Sequence, residues 1–170
     1  MIYLSAGHFP ASPGAAWKGF VEHPEAVKWV TEIRAHLHHA VIVPPMELGA
    51  KIRWVNDRCA RDDVLVEVHF NKAGDLPVAD GAESLYAPGS TTGKVLATEL
   101  QEVLARYFRS RGIKEGWYQG DPKKGPLGLL AKTRCTSVII EPEFVYHAAR
   151  INEHRGLCCV ALATAMRKHQ

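Results

Sequence analysis

The run Val64-Leu65-Val66-Glu67-Val68-His69-Phe70 constrains this chain more than any other segment, because its apolar residues fall on both faces of an extended strand. Such a strand belongs inside a sheet covered on both sides, the setting that parallel α/β sheets provide. Shorter strand-like runs at 2–6, 40–43, 83–87 and 137–141 are rich in branched residues and bounded by turn formers. Amphipathic helical spacing separates them. Residues 25–39 place Val27, Val30, Ile33 and Leu37 on one side, and Leu48, Ile52, Val55 and Cys59 repeat the pattern. Residues 91–111 carry it through Leu96, Leu100, Val103, Leu104, Tyr107 and Phe108, with Gly112 as the stop, and a last helix spans about residues 152–168. The alternation predicts an α/β fold, with a mostly parallel central sheet between helices and its strand order open. A length of 170 residues suits one domain over 1–170, and no repeat, low-complexity segment or linker divides it.

Composition acts mainly by exclusion. Hydrophobic residues at 46% and charged residues at 23% are ordinary for a globular chain, which removes disorder, collagen and coiled-coil readings. The net charge of +3 is too small to establish nucleic-acid binding, and no nucleic-acid partner is expected. No apolar run reaches the roughly 18 residues of a membrane span. Residues 1–10 lack the basic start, apolar stretch and small-residue cleavage site of a secretory signal, so synthesis in the cytoplasm and action after release are expected. Cys59, Cys135, Cys158 and Cys159 show no metal spacing and read as buried free thiols, with one disulfide left open.

In parallel α/β sheets, ligands collect at the carboxyl ends of the strands, so polar residues there come first. His8 follows the first strand, His69 closes the double-sided one, and Glu141 ends Val138-Ile139-Ile140. Glu22 stands just before Pro24, where a helix begins, with Glu25 as its rival one turn further in. Two imidazoles and one carboxylate form a catalytic zinc set, and a further carboxylate can serve as base; these four residues supply the groups. Each has a plainer reading alone: Glu22 as a first-turn acid, Glu141 as a cap for the next helix, Glu67 as the partner of a surface base, Asn71 as a turn former. His36, His38 and His39 sit at a helix C-terminal end, where imidazolium is favourable, and are set aside as ligands.

The segments Ile2-Tyr3-Leu4-Ser5-Ala6-Gly7-His8, Gly19-Phe20-Val21-Glu22, Val66-Glu67-Val68-His69-Phe70-Asn71 and Val138-Ile139-Ile140-Glu141-Pro142-Glu143-Phe144 resemble, in order, blocks of the zinc-dependent N-acetylmuramoyl-L-alanine amidases. That family includes cell-wall amidases of sporulating bacteria and many phage endolysins. Asp80-Gly81-Ala82-Glu83-Ser84-Leu85-Tyr86 and the helix after it extend the resemblance over nearly the whole chain. The chain departs from the family's usual pattern at Glu143, where Gly is common, at Thr136, where Pro is common, and after His8, which Phe9 follows instead of Gly.

The resemblance implies a mixed, mostly parallel sheet flanked by helices on both faces, one Zn2+ held by His8, Glu22 and His69, and Glu141 as the catalytic carboxylate. Bacterial peptidoglycan would be the partner and the amide between muramic acid and L-alanine the bond cut, by a catalytic domain alone in a phage lytic enzyme or a mother-cell autolysin. Two other readings accompany it: a related zinc amidohydrolase or carboxypeptidase acting on small acylated amino acids, and a wall-binding module with a decayed site. Two loops, 71–81 and 116–126, offer candidate substrate contacts in Asn71, Trp117 and Tyr118. Lys132, with Lys123 and Lys124, is a candidate for stem-peptide carboxylates.

Overall fold

The computed structural model describes residues 1–74 and 77–169. Among the described residues, eight strands and five α-helices follow one another as β1 Ile2–Ala6, β2 Ala16–Trp17, β3 Phe20–Val21, α1 Glu22–Ala35, β4 Val41–Ile42, α2 Leu48–Asn56, β5 Val64–Val68, β6 Ala82–Tyr86, α3 Thr91–Leu104, β7 Ser110–Glu115, α4 Gly128–Lys132, β8 Thr136–Glu141 and α5 Ala148–Met166. Six strands form one sheet in the order β4-β1-β5-β8-β6-β7. The first four run parallel, β6 is antiparallel to β8, and β7 is parallel to β6, so the sheet is mixed and mostly parallel.

The double-sided strand β5 lies in the interior, as its pattern requires. Val64, Val66 and Val68 face a large core with Leu4, Val138, Ile140 and the inner sides of α1, α3 and α5, including Trp29, Leu100 and Ile151. Leu65 faces a second core with Tyr3, Val55, Leu129 and Ile139, under α2 and α4. Helices therefore cover both faces. The four cysteines are free, with Cys135, Cys158 and Cys159 buried and Cys59 half-buried.

Some expected boundaries move. Helix α1 begins at Glu22 instead of residue 25, because Pro24 fits within a first helical turn, where its missing N–H leaves no bond unmade. Helix α3 starts at Thr91, with Ser90 Oγ accepting from Gly93 N, but stops at Leu104. Tyr107 and Phe108 still pack on the core beyond its end, so the apolar period outlasts the helix. The next segment, expected to hold the helix end and its stop at Gly112, is the edge strand β7. Its residues Ser-Arg-Gly-Ile-Lys-Glu contain one apolar side chain of strand type, too few to show an alternation. Gly112, expected to stop a helix, lies inside that strand at φ +79°, where the pairing with β6 shifts register. Within the loop expected at 71–81, Asp75 and Leu76 lie outside the described residues.

Candidate active site

Strand register sets the site. Ala6 of β1 pairs with Val68 of β5, which pairs with Ile140 of β8, so Gly7, His69 and Glu141 leave the sheet side by side. Glu83 of β6 stands opposite Glu141. His8 follows one residue after Gly7, in the left-handed region at φ 61°, a conformation that costs free energy outside glycine and is held here by its surroundings. Glu22 arrives by another route. The hairpin β2–β3 turns at Lys18 and Gly19, both of positive φ, and delivers Glu22 to the first position of α1.

These elements converge on one point. One donor atom each from His8, Glu22 and His69 lies within 4.8 Å of the others. Glu22 Oε2 is 3.1 Å from His8 Nε2, and Glu22 Oε1 is 2.8 Å from His69 Nδ1. Backbone N–H groups of Ala15 and Phe70 also donate to this carboxylate, at 2.8 and 3.2 Å. Glu25 points elsewhere, to Lys28 and Arg155. His36, His38 and His39 are exposed at the end of α1.

Two glycines keep the space clear. A Cβ on Gly14, itself at φ +82°, would collide with Glu22 and His8, and one on Gly7 would lie 2.5 Å from the His69 ring. Glu141 lines the adjoining cavity, of about 290 Å³, together with the polar residues His8, Lys51, Glu67 and His69 and the apolar residues Phe9, Met46, Leu48, Leu127, Leu129 and Ile139. Its Oε2 is buried and has no hydrogen-bond partner among the described residues.

The electrostatics describe a centre with too much negative charge for its burial. Against the opposing effect of burial, hydrogen bonds from His69 and His8 hold the Glu22 carboxyl far below its ordinary range. His69 is likewise pushed up to about 10, burial being outweighed by Glu22 and Glu67 on its two nitrogens. Burial, followed by the charges of Glu83 and Glu22, raises Glu141 to about 7 despite the pull of His69. Carboxylates that hold an imidazole so firmly in its charged form are placed to hold a cation. The donor set of two imidazoles and one carboxylate, with its glycine cradle, fits a zinc ion with an open position.

The family described as N-acetylmuramoyl-L-alanine amidase matches residues 2–153. The chain belongs to this family. As an amidase of that family it is a hydrolase. Solved structures agree in fold: an N-acetylmuramoyl-L-alanine amidase from Clostridium difficile 630 at TM-score 0.84 and 18% identity, covering 98% of this chain and 94% of that one. The catalytic domain of CwlV, an amidase from Bacillus (Paenibacillus) polymyxa var. colistinus, aligns at TM-score 0.82 and 17% identity over 98% and 96%. The catalytic domain of the CD27L endolysin, which targets Clostridia difficile, aligns at TM-score 0.76 and 19% identity over 98% and 96%. Comparison with curated proteins finds no match.

Other candidate contacts of the amidase stand apart from the cavity lining. Asn71 donates from Nδ2 to Glu83 Oε1 at 2.7 Å, which ties the residue after Phe70 to β6. Trp117 pairs with Pro126 across the base of its loop and donates to Glu115, and Tyr118 is exposed beside it. Lys132 is exposed at the end of α4. The segment after that loop supplies Leu127, Gly128 and Leu129 to the cavity wall, a role that sequence reading missed although these apolar residues follow directly on Pro126. It also missed Lys51. The base paired with Glu67 is this lysine, which is buried under α2, and not a surface residue. Its position four residues before Val55, on the inner side of the helix, was the available signal.

Proposed function

We propose that this amidase is a zinc enzyme that hydrolyses the amide between N-acetylmuramic acid and the L-alanine of the stem peptide, as a lytic enzyme of the phage-endolysin or mother-cell autolysin kind. The observation that carries the zinc reading is the convergence of His8, Glu22 and His69 beside the unpartnered carboxylate of Glu141. The family supplies the bond, and the endolysin neighbour supports the lytic role.

Bound by those three residues, zinc would supply Lewis acidity, which makes water a competent nucleophile near neutral pH and polarises the amide carbonyl. Glu141 accepts the proton of the attacking water on its carboxylate and returns it to the alanine nitrogen as the C–N bond breaks, so the departing amine leaves neutral. Burial of Glu141 and the neighbouring Glu83 raise its affinity for that proton, which suits a group that takes and then gives it. The apolar lining residues Leu127, Leu129 and Ile139 reduce the access of water to the reacting amide.

The test is digestion of purified peptidoglycan by the protein purified without a metal-affinity tag, with metal content measured on the same sample. One zinc per chain and new N-terminal L-alanine are expected. Cleavage confined to small acylated amino acids would favour an amidohydrolase, and tight wall binding without new amino groups would favour a binding module.

A further inference from the structure

Among the described residues, Glu67 is the buried carboxylate at this centre to which the chemistry above gives no task. Side chains two apart on a strand share a face, so Glu67 and His69 point to the same side of β5, towards α2. His69 Nε2 lies 3.0 Å from Glu67 Oε1. The other oxygen, Oε2, accepts from Ser5 Oγ at 2.6 Å, directly across the β1–β5 pair. Lys51 Nζ donates to the same oxygen and to the Ala6 carbonyl, the latter at 2.9 Å. Two donors, one from strand β1 and one from helix α2, thus hold one carboxylate against one ring nitrogen.

The ring has no equivalent alternative orientation. One face of His69 rests on Gly7, where a Cβ would lie within 2.6 Å of both nitrogens. One edge nitrogen meets Glu22 and the other Glu67. A half-turn about the Cβ–Cγ bond would replace both nitrogens with carbons at the two carboxylates and forfeit both hydrogen bonds. A neutral histidine carries one N–H; with a cation taking Nδ1 beside Glu22, the carboxylate of Glu67 holds that N–H at Nε2.

Resting on the zinc reading above, we propose that Glu67, anchored by Lys51 and Ser5, is the positioning residue of this metal site: it fixes His69 as the Nε2–H tautomer and so presents Nδ1 to the cation. Lys51 balances the charge of Glu67, so the ligand gains a carboxylate partner without adding net charge to the buried cluster. Partners of this kind raise ligand basicity, and their loss commonly weakens metal affinity about 10-fold to 100-fold.

The experiment combines zinc titration against a competing chelator with 15N–1H long-range correlation spectra of the zinc-loaded protein. The His69 signals are assigned by their loss in His69→Ala. The unsubstituted protein should show His69 protonated at Nε2 and metallated at Nδ1. Glu67→Gln should bind zinc about 10-fold to 100-fold more weakly. The double variant Lys51→Met with Glu67→Gln removes both charges together and should stay equally weak. Recovery of full zinc affinity in the double variant would mean that Glu67 only balances Lys51, and would overturn the proposal. So would a His69 protonated at Nδ1, a result read on the unsubstituted protein and independent of how the variants fold. No zinc binding by the unsubstituted protein would overturn the metal reading, and this inference with it; zinc binding that is indifferent to Glu67 would remove the inference alone.

Discussion

Glu22 is a buried carboxylate at a helix start and Glu141 a half-buried one at a strand end with its Oε2 covered, and their surroundings divide their work. Glu22 accepts from two backbone N–H groups and faces both imidazoles, whereas Glu141 Oε2 has no hydrogen-bond partner among the described residues. Glu141→Gln should therefore keep its zinc, as measured by metal analysis, while turnover on peptidoglycan falls about 100-fold to 10,000-fold. Loss of zinc in that variant would make Glu141 a ligand instead. His8→Ala and His69→Ala should each lose stoichiometric zinc on dialysis against a mild chelator. Glu22→Ala should weaken binding and Glu25→Ala should not, because Glu25 is engaged with Arg155 and Lys28. Gly14→Ala tests the cradle: its Cβ would strike Glu22 and His8 in a backbone conformation that alanine rarely adopts, so zinc occupancy should drop although no ligand is changed.

Among the elements, the exit of β8 shows how the chain holds its site in shape. Pro142 breaks the strand, and Glu143, fully buried, turns back to accept from Gly81 N at 2.7 Å and Phe144 N at 2.8 Å with one oxygen. Arg150 of α5 donates to the other oxygen at 2.8 Å. This carboxylate therefore joins the start of β6, the end of β8 and the last helix. Glu143→Ala would leave buried N–H groups without an acceptor. A cost of about 1–3 kcal/mol is expected, which for a domain of this size lowers the melting temperature by roughly 2–12 °C. Thermal unfolding of the metal-free protein is the measurement, with Lys123→Ala on the exposed loop as a control that should not shift. A melting temperature unchanged in Glu143→Ala would show that these groups find other acceptors.

For the whole molecule the decisive observable is which bond of the wall is cut. Digestion should release N-terminal L-alanine while glycan strands keep their length; new reducing sugar ends would instead mark a glycosidase and remove the proposed function. Much of this architecture was legible because it rests on local rules. The double-sided run of β5 demanded a covered interior strand, alternation of strand and helix demanded an α/β sheet, and His8, His69 and Glu141 stood out as polar ends of apolar strands. Strand β7 was illegible because an edge strand with one strand-type apolar residue has no period to read. The reversed direction of β6 was illegible too, since pairing direction depends on a connection through space and not on the residues of the strand. Nor did local pattern show that Glu22 faces the imidazoles while Glu25 faces α5: both are first-turn acids of one helix, and only the packing of α1 against β1 and α5 separates them. The sequence by itself determined the class of sheet and the donor types at its carboxyl edge, because side-chain period and polarity act over a few neighbouring residues. The tertiary structure alone decided which donors meet, and that Lys51, Glu67 and His69 form one buried chain of contacts, because those distances depend on register and helix docking between segments far apart in sequence.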